Sequence, residues 1–168
     1  MALINNAVEE ADEGGTSYLR ENVEMIKSLV IPENPDIVIE VAIRGFTTLA
    51  QSEAGREVGF ENLIGIVGIE NMRLQSNAIN GLLLLAKSND QTVSSRALEL
   101  LGGGLYGKLL EFVEYNVGPD GGVGTRHVQF IGIKGLVELA KHSHGGALTQ
   151  LLVLKETNPE LLIQHIAN

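Results

Sequence analysis

The stretch Ile79-Asn80-Gly81-Leu82-Leu83-Leu84-Leu85-Ala86 decides the fold, because its pattern recurs. Ile43-Arg44-Gly45-Phe46-Thr47-Thr48-Leu49-Ala50 precedes it, and Ile133-Lys134-Gly135-Leu136-Val137-Glu138-Leu139-Ala140 follows it. The shared form is I-x-G-[LF]-x-x-L-A. Ile at the first place, Leu or Phe at the fourth and Ala at the eighth make an i, i+3, i+7 stripe, which is one buried face of a helix. Ile39, Met72 and Phe130 extend that face upstream. Glycine inside a helix costs roughly 1 kcal/mol relative to alanine. Its return at one phase predicts a tight helix crossing that leaves no room for a methyl group.

Working outward, Gly45 and Gly81 are 36 residues apart and Gly81 and Gly135 are 54 apart. The first interval suits a helical repeat unit. Part of the excess in the second falls in Val117 to Thr125, a Gly-rich stretch that reads as an exposed loop. The rest falls in a rear helix or helix pair from Thr92 to Asn116, broken at Gly102-Gly103-Gly104. Residues 2–12 and 17–30 read as two helices, parted at Gly14-Gly15, with Thr16 or Ser17 as N-cap. Asn34-Pro35-Asp36 opens the next helix with Pro35 at its first position. Gly55 to Gly68 is a weak helical segment, expected to break once. Gly145-Gly146 precedes a helix near 147–155, and Pro159 begins the last, 159–167. The fold class is therefore all-α.

The stretch Asn34-Pro35-Asp36-Ile37-Val38 … Ala42-Ile43 … Leu49-Ala50 resembles the third helix of an armadillo repeat, and HEAT repeats look similar. The resemblance spans roughly residues 34–141. It implies a right-handed α-solenoid of about three to four repeats in one domain, 1–168. Residues 1–33 and 142–168 would then be capping helices at either end. Armadillo proteins that grip extended peptides carry Trp and Asn at fixed places on this helix. Here the Trp place holds Arg44, Asn80 and Lys134, and the Asn place holds Thr48, Leu84 and Glu138. The peptide-gripping ladder is replaced. Residues four apart share a helix face, so Arg44/Thr48, Asn80/Leu84 and Lys134/Glu138 would line one strip, the expected partner-binding surface.

Composition narrows the function classes. The 168 residues are 44% hydrophobic and 20% charged, enough apolar material for a packed core. Aromatics are 4% with no Trp, so Leu, Ile, Val and Ala must build that core. A net charge of −9 disfavours phosphate backbones and anionic lipids, so neither nucleic acid nor membrane is expected as a partner. The absence of Cys removes disulfides, thiolate catalysis and Cys-based zinc sites, and suits a cytoplasmic chain. Met1 to Gly14 is acidic and shows no secretory pattern.

Four features touch on chemistry. Gly102 to Lys108, GGGLYGK, matches G-x-x-x-x-G-K, but Leu109 follows where magnesium binding needs Ser or Thr. A Gly-rich break between helices is the expected reading. His142-Ser143-His144 is a possible metal pair, read instead as favourable charge at a helix C-terminus. Glu9, Glu10, Asp12 and Glu13 read as a solvated face, and Ser94-Ser95 has no evident His or Asp partner. No catalytic, cofactor-binding or metal-ligating residue is assigned, and no cofactor is expected. Four consecutive leucines, 82–85, cannot share one face when each step turns about 100°. One must point away, onto a neighbouring repeat or another copy.

The sequence thus predicts a non-catalytic protein–protein interaction module or adaptor. The alternatives are a self-assembling homo-oligomer, supported by Leu148, Leu151, Leu152, Leu154, Leu161 and Leu162 near the C-terminal end, or a ligand- or nucleotide-binding protein using the Gly-rich loops.

Overall fold

The computed structural model describes residues 16–115 and 123–166, with the side chains of 22–115 and 125–164. The expected helix at 2–12 and residues 117–122 of the expected loop lie outside them. Among the described residues there are nine helices and no strand. In chain order they are α1 Thr16–Ser28, α2 Asp36–Gln51, α3 Arg56–Val67, α4 Met72–Ala86, α5 Gln91–Gly102, α6 Tyr106–Glu114, α7 Val123–Lys141, α8 Gly145–Thr157 and α9 Pro159–Ile166. The chain forms two compact units that meet in sequence at Ser94 and Ser95.

In the first unit, α2 packs on both α3 and α4, and α3 packs on α4. The repeated stripe is the reason. Ile39, Ile43, Phe46 and Leu49 of α2 and Leu74, Ile79, Leu82 and Leu85 of α4 are all buried, with Phe60 and Leu63 of α3 between them. Burying each such side chain contributes about 1.5–3 kcal/mol before entropy is counted. In the second unit α7 packs on α6 and α8, around Leu109, Phe112, Ile131, Ile133, Leu136 and Leu139.

The two units repeat one local device. A Cβ added at Gly81 would lie 3.4 Å from Leu63 Cδ2, and one added at Gly135 would lie 2.6 Å from Leu109 Cδ2. Each preceding helix thus sets a leucine over the glycine of the next. The same added Cβ at Gly81 would lie 2.8 Å from Thr47 Oγ1 of α2. Six residues before each glycine stands a glutamine. Gln75 Nε2 donates to Val67 O at 3.0 Å and to Ile69 O at 2.8 Å, and Gln129 Nε2 donates to Tyr115 O at 2.9 Å. Val67 O and Tyr115 O stand at the ends of the preceding helices, where carbonyls lack partners within the helix, and Ile69 O in the turn also accepts from Asn71 N at 2.7 Å. In the α2 copy the same place holds buried Ile39.

Several boundaries differ from expectation. Pro35 is the N-cap of α2 rather than its first helical residue. Arg73 of α4 fixes this entry by donating to Pro32 O at 2.7 Å and pairing with Asp36. α3 runs unbroken through both of its inner glycines, Gly59 packed against α2 and Gly65 exposed. At Gly59 a Cβ would lie 2.4 Å from Ala50 N and 2.6 Å from Phe46 O, so the closest backbone approach is here rather than at the repeated glycine. Gly132 meets α6 in the same way, 2.8 Å from Leu109 O. Residues 123–125, expected in a loop, begin α7, and Thr125 is buried. The break at Gly102–Gly104 and the start of α9 at Pro159 agree with the sequence.

Asp90 caps α5, its Oδ1 accepting from Thr92 N at 2.8 Å and Val93 N at 3.2 Å, while Arg56 Nη2 donates to Oδ2 at 2.9 Å. The Val93 amide foremost, with Thr92 and the Arg56 guanidinium, holds the Asp90 carboxyl below its ordinary 3.8.

Two outcomes follow from these contacts. Gly59→Ala should lower stability by about 1–3 kcal/mol through overpacking. Gly65→Ala, where a new Cβ meets nothing within 4 Å, should raise it by up to about 1 kcal/mol. Urea unfolding of both variants reads the opposite signs. Because the Asp90 value is lowered in the folded chain, its stabilisation is whole above the ordinary value and fades as pH falls through the lowered one. Asp90→Asn should therefore show a shallower loss of melting temperature on acidification than the parent; parallel curves would contradict the assignment.

Candidate functional site

The expected strip is reached in parts. In the first unit, Arg44 of α2 and Leu84 of α4 are exposed, and Thr48 and Asn80 are half-buried. The two helices pack against each other. The Thr48 hydroxyl is committed to its own helix, donating to Arg44 O at 3.0 Å. Leu84 is the leucine of the run that points away: it is 55% exposed, while Leu82, Leu83 and Leu85 are buried. In the second unit Lys134 is exposed, whereas Glu138 is only 6% exposed. Lys141 Nζ covers the Glu138 carboxylate at 3.2 Å, and His142 Nε2 lies 3.7 Å from it. A polar residue at a solvent phase is buried, with its own i+3 and i+4 neighbours beside its carboxylate.

The histidine pair serves structure in another way than the sequence suggested. α7 ends in a Schellman turn, with Ser143 N donating to Ala140 O and His144 N to Leu139 O, both at 3.0 Å. Ser143 takes the left-handed position, φ 66°. His144 then caps the next helix rather than the previous one. Its Nδ1 accepts from Ala147 N at 3.1 Å, and its Nε2 bonds Gly102 O at 3.2 Å. An accepting Nδ1 assigns the hydrogen to Nε2, so the ring donates to the last carbonyl of α5. Its ring also lies against Tyr106, centroids 4.9 Å apart. Gly145 and Gly146, expected ahead of α8, form its first turn under this cap.

The same contacts account for the GGGLYGK segment. It joins two helices with no strand before it, and Lys108 pairs with Glu111 on its own helix. Gly102 gives way to the His144 ring, which a Cβ would approach to 3.1 Å. Among the described residues no three His, Asp or Glu side chains converge to hold a metal ion, and no helix is long and apolar enough to cross a membrane.

Two surfaces remain. On α8, Ala147 is the one buried residue, while Leu148 is 54% and Leu152 55% exposed. These two stand one turn apart on one face, with Val153 beside them and Ile163 of α9 also exposed. Of the other C-terminal leucines, Leu151, Leu154 and Leu162 are half-buried and Leu161 is buried. In the first unit, a cleft of about 320 Å³ opens between α1, α2 and α3. Phe46 and Ile66 line it with Val30, and Lys27, Glu61 and Asn62 bring polar groups to it. The sequence held no local sign of this cleft, since its wall comes from three helices.

Comparison with protein-family models, with curated proteins and with solved structures found no match for this chain.

His144→Ala removes a cap and leaves the last carbonyl of α5 without its donor, which should lower stability by about 1–2 kcal/mol. His142→Ala, whose side chain is half exposed, should change it by less than about 0.5 kcal/mol. Thermal unfolding of the pair separates the two histidines; equal losses would mean that His144 is no hub.

Proposed function

We propose that this chain is a non-catalytic protein–protein interaction module, a small right-handed α-solenoid of three to four armadillo- or HEAT-like repeats that acts as a cytoplasmic adaptor. The 36-residue interval between α2 and α4, which pack side by side, supports the repeat reading. So does the leucine-over-glycine packing found at both Gly81 and Gly135. Solenoids bury each unit on its neighbour, and their ends need polar caps to stay soluble alone.

The observation that carries the function is the outer face of α8. Leu148 and Leu152 lie more than half exposed on a helix that buries only Ala147. Single surface leucines need no explanation, but several exposed apolar residues on one helix face mark a contact surface. The same face supports a second reading, in which the partner is another copy of the chain. A net charge of −9 turns the module away from nucleic acid and toward a neutral or basic protein.

The test compares the parent with the double variant Leu148→Ser/Leu152→Ser. Exposed positions tolerate substitution to within about 0.5 kcal/mol, so the melting temperature should hold. Affinity purification from the source cell should recover a protein with the parent that the variant fails to recover. Equal recovery by both would remove α8 as the contact surface.

A further inference from the structure

We propose that the cleft between α1, α2 and α3 receives one apolar side chain from a partner polypeptide segment that carries Lys or Arg around that anchor. This rests on reading the chain as a protein-binding module, and it assigns a surface separate from α8.

The cleft is built for an apolar guest. Val30, Phe46 and Ile66 give it an apolar lining, and Ile69 stands at its edge, 37% exposed. Its volume of about 320 Å³ lies at the small end of ligand sites, which suits a single anchor side chain. Gly65 contributes to the opening. A Cβ there would meet nothing within 4 Å, whereas at Gly59 on the same helix it would strike the α2 backbone. Gly59 is small because the fold requires it; Gly65 is small where the cleft is open.

Charge decides which segment fits. Glu61 lines the cleft, and Glu57 stands one turn before it on α3, both exposed. Neither carboxylate has an ion pair among the described residues. The lining cation, Lys27, is already held by Glu24 at 2.9 Å. The cleft therefore presents Glu61 beside an apolar floor, with Glu57 one turn away along α3, and neither carboxylate is paired among the described residues. Opposite charge at a rim steers encounter and selects partners, and it weakens with salt. An anionic ligand would face Glu57 and Glu61 with no free cation among the lining residues.

The probe is a random library of peptides of about twelve residues, selected on the immobilised full chain. The selected sequences should share one Leu, Ile, Met or Phe with Lys or Arg nearby. A synthetic peptide of that consensus should bind in solution, more weakly as salt rises. Gly65→Phe should reduce its affinity at least about tenfold by filling the pocket, with Gly65→Ala as a folded control and circular dichroism confirming both. Glu57→Gln/Glu61→Gln should weaken binding and flatten its salt dependence. Leu148→Ser/Leu152→Ser should leave it unchanged. The proposal is overturned if no common sequence emerges, if the consensus is acidic, or if a folded Gly65→Phe binds as well as the parent. Loss of binding in the α8 variant with retention in Gly65→Phe also overturns it, while leaving the module reading in place. Saturable binding of an uncharged apolar dye that the consensus peptide fails to displace would assign the cleft to a small molecule instead.

Discussion

The packing of a leucine over a helical glycine is the contact on which the rest depends. Leu109 closes tightly over Gly135 and Leu63 meets Gly81 at ordinary contact distance, with Thr47 of α2 making the tighter approach there, and the apolar stripes mesh around these places. Dispersion between two atoms is worth only about 0.1–0.2 kcal/mol, so many atoms must meet at once to repay a glycine in a helix. Close approach also carries a glutamine to the end of the preceding helix. Gln75 and Gln129 reach buried or half-buried carbonyls there, and in doing so tie the turn to the next helix. Packing, turn geometry and helix termination are thus set together by residues spaced six apart. Gly59 and Gly132 add places where the backbone of one helix closes on the next.

Much of this was legible. The Ile-x-Gly pattern marks α2, α4 and α7, and a run of four leucines requires that one leave the core, which Leu84 does. The weaker features failed for physical reasons. α3 carries little amphipathic contrast, so its glycines read as breaks until α2 is seen against Gly59. The glutamines were visible in sequence, but an amide becomes a latch only when a carbonyl end stands opposite it. His144 looked like favourable charge at the end of α7, yet Ser143 takes the turn and frees the ring to cap α8. Glu138 looked exposed by phase and is covered by Lys141. The cleft could not be read at all, because Lys27, Phe46 and Ile66 meet only in the fold.

The surfaces left over share one character. Where the polar residues of this chain are committed, they bind its own helix ends, as Asp90, Arg73, Asn71 and His144 do. Apolar surface also remains open: the α8 leucines, Leu84 and the cleft beside Phe46. Apolar surface framed by carboxylates suits recognition of another polypeptide, which supplies apolar anchors and basic residues together.

The α8 face must be free in the isolated chain if its partner is a foreign protein. Light scattering after size exclusion, at several protein concentrations, measures this directly. The account predicts a mass near the 18.0 kDa of one chain at every concentration. A stable dimer or larger ring that Leu148→Ser/Leu152→Ser returns to one chain would contradict it, and would make the partner of this surface the chain itself.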